Sequence, residues 1–162
     1  MLIAAGLLAK VVPRLMAAAG TLTPARVLVL GAGVGGLQGI ATARRLGAVV
    51  EAYDIRLVVK GQVESLGAKF IELEVETEDA EDSGGYATEQ GEETQEKIRK
   101  PLLERIGHSD ADITTALLPA KKAPLLMTSE TVEAMSAGAL SYDLASEQGG
   151  MSEVAQHRTP VE

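Results

Sequence analysis

The sequence predicts an α/β protein built on a doubly wound parallel sheet of about five strands. A short apolar strand at residues 26–31 runs directly into a glycine-rich turn, and strand-like and helix-like segments then alternate as far as residue 145. Of the 162 residues, 46% are hydrophobic, which is enough to form one ordinary core. We therefore expect a single domain of this class.

The first 24 residues are predicted to form a linking helix that precedes the sheet. Apolar side chains recur there at helical spacing, at Leu8, Val11, Val12, Leu15 and Ala19. Within the first 20 residues the longest uncharged run covers only residues 1–9, far short of the roughly 20 residues that span a bilayer as a helix. Charges interrupt this apolar stretch and do not precede it, so it does not have the pattern of a signal peptide.

From residue 26 onward, predicted strands and helices alternate along the chain. The strands cover residues 26–31, 49–54, 69–73, 111–118 and 139–145, and the helices cover 37–46, 58–66, 92–106 and 129–135. Because each helix must cross the sheet before the next strand begins, the strands should be parallel with right-handed crossovers. The expected spatial order is 3-2-1-4-5, and no sixth strand follows, so the sheet would be incomplete at its C-terminus.

An acidic segment separates the third predicted strand from the next helix. Residues 72–96 contain eleven acidic residues and no basic one, which is typical of a long surface loop. Two interpretations stay open: the loop is a plain acidic linker, or it is a lid in which Tyr86, beside Gly84 and Gly85, makes a closing contact.

The composition excludes several classes of function. A formal net charge of −8 would repel a nucleic-acid backbone, so nucleic acid is not an expected partner. The chain has no cysteine, and its two histidines, His108 and His157, lack the spacing of metal ligands. We therefore predict no metal site.

Gly31, Gly33 and Gly36 fit the pattern G-x-G-x-x-G between a strand and a helix. Gly31 would permit the tight turn, and Gly33 would let the backbone approach a diphosphate. Gly36 would let the helix pack closely on the strand. Free N–H groups and the positive end of the helix dipole would then face the anion. The segment is therefore predicted to be the cofactor loop of a Rossmann-like domain.

Asp54 supports this prediction, because it ends the second strand 18 residues after Gly36. A carboxylate near this spacing holds the adenosine ribose hydroxyls in dinucleotide-binding domains. It would also repel a 2′-phosphate, so NAD(H) should be preferred over NADP(H). Arg56 lies two residues further on, and this positive charge keeps NADP(H) binding open as an alternative.

A long stretch of the sequence closely resembles a known family. Residues 7–56 and 63–90, which include VLVLGAGVGGLQGIATARRLGAVVEAYDIR and VESLGAKFIELEVETEDAEDSGGYATEQ, resemble the proton-translocating NAD(P) transhydrogenase alpha subunit. The resemblance extends to ASEQGG at residues 145–150. It corresponds to the second, nucleotide-binding half of that family's NAD(H)-binding domain.

The resemblance implies a set of cofactor-binding positions and no catalytic side chain. It implies a pyrophosphate loop made of Gly31, Gly33, Val34 and Gly36, and an adenosine border made of Asp54, Ile55 and Arg56. It implies a nicotinamide border made of Thr115, Ala116 and Leu117. It also implies a mobile loop that closes over the nucleotide and contains Gly85, Tyr86 and Ala87.

The same resemblance implies how the protein would act. NAD(H) held on this chain would exchange a hydride directly with NADP(H) on a partner domain, coupled to proton movement through a membrane-embedded domain. The implied partners are these two domains and a second copy of the chain in a homodimer. The chain itself is expected to be soluble, at the cytoplasmic or matrix face of a membrane.

Departures from the family pattern keep other functions open. Met151 stands where the family usually has Asn, and Leu57 where it usually has Pro. The division expected is 1–24 linking helix, 25–150 NAD(H)-binding domain and 151–162 divergent tail, without the preceding subdomain that helps to position the nicotinamide. A noncatalytic or truncated nucleotide-binding module is therefore the alternative. An alanine dehydrogenase fragment is less favoured, because Glu147 lies where that family has a catalytic Asp.

Overall fold

The structure is a computed structural model that describes residues 1–73, 92–115 and 127–144. In chain order its elements are α1 (Leu2–Leu7), β1 (Leu15–Ala17), β2 (Gly20–Leu22), β3 (Arg26–Leu30), α2 (Val34–Arg45), β4 (Val49–Tyr53), a 3₁₀ turn (Leu57–Val59), α3 (Lys60–Ser65), β5 (Lys69–Phe70), α4 (Glu92–Gly107), β6 (Ala111–Thr114), α5 (Ser129–Glu133) and β7 (Leu140–Asp143).

Five of the strands form one parallel sheet in the order β5-β4-β3-β6-β7. This is the 3-2-1-4-5 order predicted from the alternation of strands and helices. The central strand β3 pairs with β4 on one side, with Val27 opposite Val50, and with β6 on the other, with Val27 opposite Ala111. The predicted α/β class is confirmed, although β5 is shorter than the predicted strand and β6 ends at Thr114.

Helices cover both faces of this sheet. Side chains of a strand alternate between faces, so Val27 and Val29 of β3 join one buried cluster with α2 and α3, while Leu28 and Leu30 join the other. The second cluster includes Leu102 and other side chains of α4. A strand buried on both faces explains why residues 26–30 are a nearly continuous apolar run.

The single helix predicted for residues 1–24 is wrong. The helix α1 ends at Leu7, and Leu8 already has extended backbone angles (φ −64°, ψ 130°). Pro13 has no N–H to donate and disfavours the helical conformation in the residue before it. That residue, Val12, is instead buried in the core, and its carbonyl accepts a 2.9 Å hydrogen bond from the Ala25 N–H. The segment from 15 to 22 forms an antiparallel hairpin.

No helix in the three described segments is both long enough and apolar enough to span a lipid bilayer.

Asp112 of β6 is a buried carboxyl that residue spacing does not single out. Its Oδ1 lies 2.5 Å from Ser109 Oγ, which also lies 2.7 Å from the Ile106 carbonyl oxygen. A hydroxyl has one proton, which Ser109 shares between these two acceptors. Burial raises the pKa of Asp112 to about 7, against the opposing effect of the Ser109 hydrogen bond.

This raised pKa predicts a pH dependence of stability. The folded-state pKa of Asp112 lies above the ordinary 3.8, so its stabilising contribution is complete below about pH 4 and is lost as the pH rises to about 7. Between about pH 5.5 and pH 8 the loss is about 2 kcal/mol. Asp112→Asn keeps the neutral shape and should remove this loss, as measured by urea unfolding followed by circular dichroism.

Ser109→Ala provides the second variant for this test. Because the Ser109 hydrogen bond lowers the pKa of Asp112, its removal should move the loss of stability to higher pH. Equal slopes of unfolding free energy against pH for the wild type and Asp112→Asn would contradict the raised pKa of Asp112.

Candidate functional site

The loop from β3 to α2 lies at the carboxyl edge of the sheet, where the predicted glycine pattern falls. Gly31 turns the chain with φ +101°, a conformation that L side chains rarely adopt. Its N–H donates to the Tyr53 carbonyl at the end of β4, at 2.8 Å. On the other side, the Thr115 N–H donates to the Leu30 carbonyl, also at 2.8 Å. The loop is therefore held between the ends of the two neighbouring strands.

Gly36 brings α2 into direct contact with this turn. A β-carbon on Gly36 would lie 1.9 Å from the Gly31 carbonyl oxygen and 2.9 Å from Thr115 Oγ1. Thr115 Oγ1 itself donates to the Gly31 carbonyl at 2.9 Å. The predicted close packing of helix on strand at Gly36 is present, and Thr115 is part of the contact.

Gly33 and Val34 form the open side of the loop. A β-carbon on Gly33 would meet no atom within 4 Å, and Val34 is 86% exposed. No side chain caps the N-terminus of α2, a helix of 12 residues whose N-cap is Gly33. The first N–H groups of a helix lack carbonyl partners within the helix and carry partial positive charge. This end of α2 can therefore receive an anion on its open side.

Asp54 follows β4 and ties the loop to the neighbouring strand through a buried carboxylate that is 6% exposed. Its Oδ2 accepts the Ala32 N–H at 2.7 Å, and its Oδ1 accepts the Arg56 N–H at 2.9 Å. The Arg56 guanidinium adds two further bonds, from Nε to Oδ1 and from Nη2 to Oδ2, both at 2.9 Å. The predicted ribose carboxylate is thus engaged by Arg56 in the structure.

Tyr53 contributes its backbone carbonyl to the loop, as the acceptor of the Gly31 N–H, and its side-chain hydroxyl does not titrate near neutral pH. Burial, with a smaller contribution from the neighbouring Asp54, raises the pKa of its hydroxyl far above the ordinary value. The phenol therefore stays neutral and does not act as a base near neutral pH.

The structure brings most of the predicted positions together at one edge. Gly31, Gly33, Val34, Gly36, Asp54, Ile55, Arg56 and Thr115 all lie at or just beyond the carboxyl ends of β3, β4 and β6. The remaining predicted positions, Gly85, Tyr86, Ala87, Ala116 and Leu117, lie outside the described residues, as do Glu147 and Met151.

Two contributions to this edge were not foreseen from the sequence. The Ala32 N–H bonds Asp54, but a main-chain donor leaves no signal in residue identity. At the far side, Thr114 Oγ1 donates to Asp143 at the end of β7, at 2.8 Å. The Leu144 side chain follows, and it would lie 4.0 Å from a β-carbon if one were placed on Gly35. Polar residues that end adjacent parallel strands are the signal that would have indicated the Thr114 and Asp143 pair.

Comparisons with known proteins agree with this fold. The family model described as "Alanine dehydrogenase/PNT, C-terminal domain" matches residues 1–162. The chain is 54% identical over 143 residues to the first part of NAD(P) transhydrogenase subunit alpha of Rhodospirillum rubrum, and the match covers 88% of this chain and 37% of that protein. It is 30% identical over 145 residues to alanine dehydrogenase of Mycolicibacterium smegmatis, covering 90% of this chain and 33% of that enzyme.

A solved transhydrogenase structure also matches the fold of this chain. The transhydrogenase from Sinorhizobium meliloti matches with a TM-score of 0.77 and 42% identity, over 96% of this chain and 39% of that one. The chain thus spans little more than a third of the length of these transhydrogenase relatives.

The contact at Gly36 predicts a sharp difference between two neighbouring glycines. Gly36→Ala places a methyl group against backbone and should lower the free energy of unfolding by at least about 2 kcal/mol. Gly35→Ala meets only Leu144 Cδ1, at 4.0 Å, and should leave stability unchanged or raise it by up to about 1 kcal/mol, the gain expected for Ala in a helix. Urea unfolding of both variants measures the difference, and equal stabilities would contradict the contact.

Proposed function

The chain belongs to the alanine dehydrogenase/PNT C-terminal domain family, and on that premise we propose that it is the NAD(H)-binding part of an NAD(P) transhydrogenase alpha subunit. The observation that carries the proposal is the loop with an open Gly33 and an uncapped helix end, beside the buried carboxylate of Asp54. The 54% identity to a transhydrogenase subunit, against 30% to an alanine dehydrogenase, favours this branch of the family.

The residues present fit a dinucleotide. The diphosphate would lie against Gly33 and Val34, because the space beside Gly33 is free of side-chain atoms and the N–H groups of α2 point out of an uncapped end. Asp54 would accept hydrogen bonds from the adenosine ribose, with Ile55 and Arg56 beside it. Thr115, followed by Ala116 and Leu117, would border the nicotinamide.

NAD(H) is the proposed ligand of this chain. A carboxylate at Asp54 suits two ribose hydroxyls, which are hydrogen-bond donors, and disfavours a 2′-phosphate, which is an anion. In this proposal NADP(H) belongs to a partner domain.

The chain's residues would bind and orient the cofactor and would exclude water. NAD(H), when bound, supplies the chemistry by giving or accepting a hydride, with NADP(H) as the other reactant. No side chain is needed as acid or base for this step, which agrees with the neutral, buried phenol of Tyr53. In the same proposal Gly85 and Tyr86 belong to a segment that closes over the site.

The proposed partners follow from the relatives that the chain resembles. Those relatives are named as transhydrogenase subunit alpha or as a portion of it, and this chain spans 37% of the length of one of them. We therefore propose an NADP(H)-binding domain, a membrane-embedded domain and a second copy of the chain as partners, at the cytoplasmic or matrix face of a membrane. The alternative, a noncatalytic nucleotide-binding module, would bind NADH without reducing NADP⁺ held by such a partner.

Substitution of Gly33 tests the proposed site with little risk to the fold. Gly33→Ala places a methyl group in open space, where the diphosphate would lie, and should weaken NADH binding by about tenfold or more, which corresponds to about 1.4 kcal/mol. Calorimetric titration with NADH measures this loss, and circular dichroism checks that the variant is folded.

Gly61→Ala is the matched control for this experiment. A β-carbon on Gly61, in α3, also meets nothing within 4 Å, and the residue is far from the loop in sequence. This variant should bind NADH as the wild type does. Equal affinity in Gly33→Ala and Gly61→Ala would exclude the loop as the diphosphate site.

A further inference from the structure

We propose that a cavity at the amino edge of the sheet is a second ligand site, which binds a small zwitterion such as a free apolar amino acid. The cavity has a volume of about 150 Å³ and lies between the first residues of β3 and β4 and the last turn of α4. The nucleotide is proposed to bind at the opposite, carboxyl edge, so this inference does not depend on the proposed function.

The strand side of the cavity presents an apolar surface. Side chains of a strand alternate between the two faces, so Leu28 of β3 and Val49 of β4 point to the face that α4 covers. Leu28 is buried, while Val49 is 43% exposed. Pockets for drug-sized ligands measure roughly 300–1,000 Å³, so this cavity suits a smaller molecule with a short apolar side chain.

One pair of charged side chains in the cavity is already satisfied. Glu51 Oε1 of β4 lies 3.1 Å from Arg105 Nη1 of α4 and 3.3 Å from Lys69 Nζ of β5. Because each of these groups has an opposite charge beside it, neither Glu51 nor Arg105 needs a ligand for its charge to be compensated.

Arg26 and Glu104 are charged side chains of the cavity that have no such partner. Within residues 1–73, 92–115 and 127–144, neither side chain forms an ion pair or a hydrogen bond. The Asp110 carboxylate is already bonded, because its Oδ2 accepts the Lys10 ammonium and the Arg26 backbone N–H, both at 2.8 Å. The second bond also fixes the backbone from which the Arg26 guanidinium extends into the cavity.

Two unpaired charges of opposite sign favour a ligand that carries both. The Arg26 guanidinium, at the start of β3, has the planar donor geometry that suits a carboxylate. The Glu104 carboxylate, on α4, can accept hydrogen bonds from an ammonium group. A simple anion would be repelled by Glu104 and a simple cation by Arg26. His108 lines the same cavity and offers a further ring nitrogen to the ligand's carboxylate.

A ¹H–¹⁵N NMR titration of the chain with three matched probes tests this inference. L-Valine carries both charges, isovalerate lacks the ammonium group, and isobutylamine lacks the carboxylate. L-Valine should shift the amide resonances of Leu28, Val49 and Ser109 and saturate with a dissociation constant of about 1 mM. Each of the other probes should bind about threefold or more weakly, as expected when one exposed charge pair is lost.

Two variants assign the charges of the ligand to the two walls of the cavity. Arg26→Gln should weaken L-valine binding about threefold or more without weakening isobutylamine binding. Glu104→Gln should weaken L-valine binding to a similar extent without weakening isovalerate binding. Both side chains are exposed, so both variants should fold as the wild type does, which circular dichroism checks.

Arg45→Gln and Glu64→Gln are the matched controls, because they remove the same charges from exposed positions on α2 and α3. Both should bind L-valine as the wild type does. The absence of saturable shifts at the cavity with L-valine would overturn the inference. Isovalerate or isobutylamine binding as tightly as L-valine would also overturn it, as would equal losses of L-valine affinity in the controls and in the two cavity variants.

Discussion

The structure depends on a contact between α2 and the end of β3 that leaves no room for a β-carbon. At Gly36 the helix backbone touches the Gly31 carbonyl, and Thr115 of the next strand end bonds the same oxygen. This contact fixes where the first turn of α2 begins and therefore which way its N–H groups point. The Ala32 N–H is then directed at Asp54, and Gly33 faces open space. The close contact at Gly36 therefore constrains both the packing of α2 on the sheet and the geometry of the loop.

The second feature of the site is that its carboxylate already has partners. A buried carboxylate without hydrogen bonds would be costly, so the three donor groups of Arg56 and the N–H of Ala32 stabilise Asp54 before any ligand binds. In the proposed function, nucleotide binding exchanges one set of donors for another. The net gain in binding free energy is then smaller than the new hydrogen bonds alone would suggest.

The sequence was informative where local pattern and tertiary packing agree. The strand order, the glycine loop and the position of Asp54 were predicted because buried parallel strands are apolar on both faces and the loop has a fixed spacing. The N-terminal helix was wrongly predicted, since apolar spacing favoured a helix but Pro13 and the burial of Val12 favoured extended chain. The raised pKa of Asp112 depends on its burial beside Ser109, and the bonds of the Arg56 guanidinium depend on side-chain geometry at Asp54; residue spacing determines neither.

A two-dimensional ¹H–¹⁵N NMR titration of the chain with NADH would locate the ligand residue by residue. We expect the amide resonances of Ala32, Gly33 and Val34 to shift with Arg56 and to saturate together. A separate cavity, of about 150 Å³, lies at the other edge of the sheet beside Arg26, Arg105 and His108. Shifts centred on that cavity, or none at the loop in saturating NADH, would contradict the assignment of the nucleotide to the carboxyl edge.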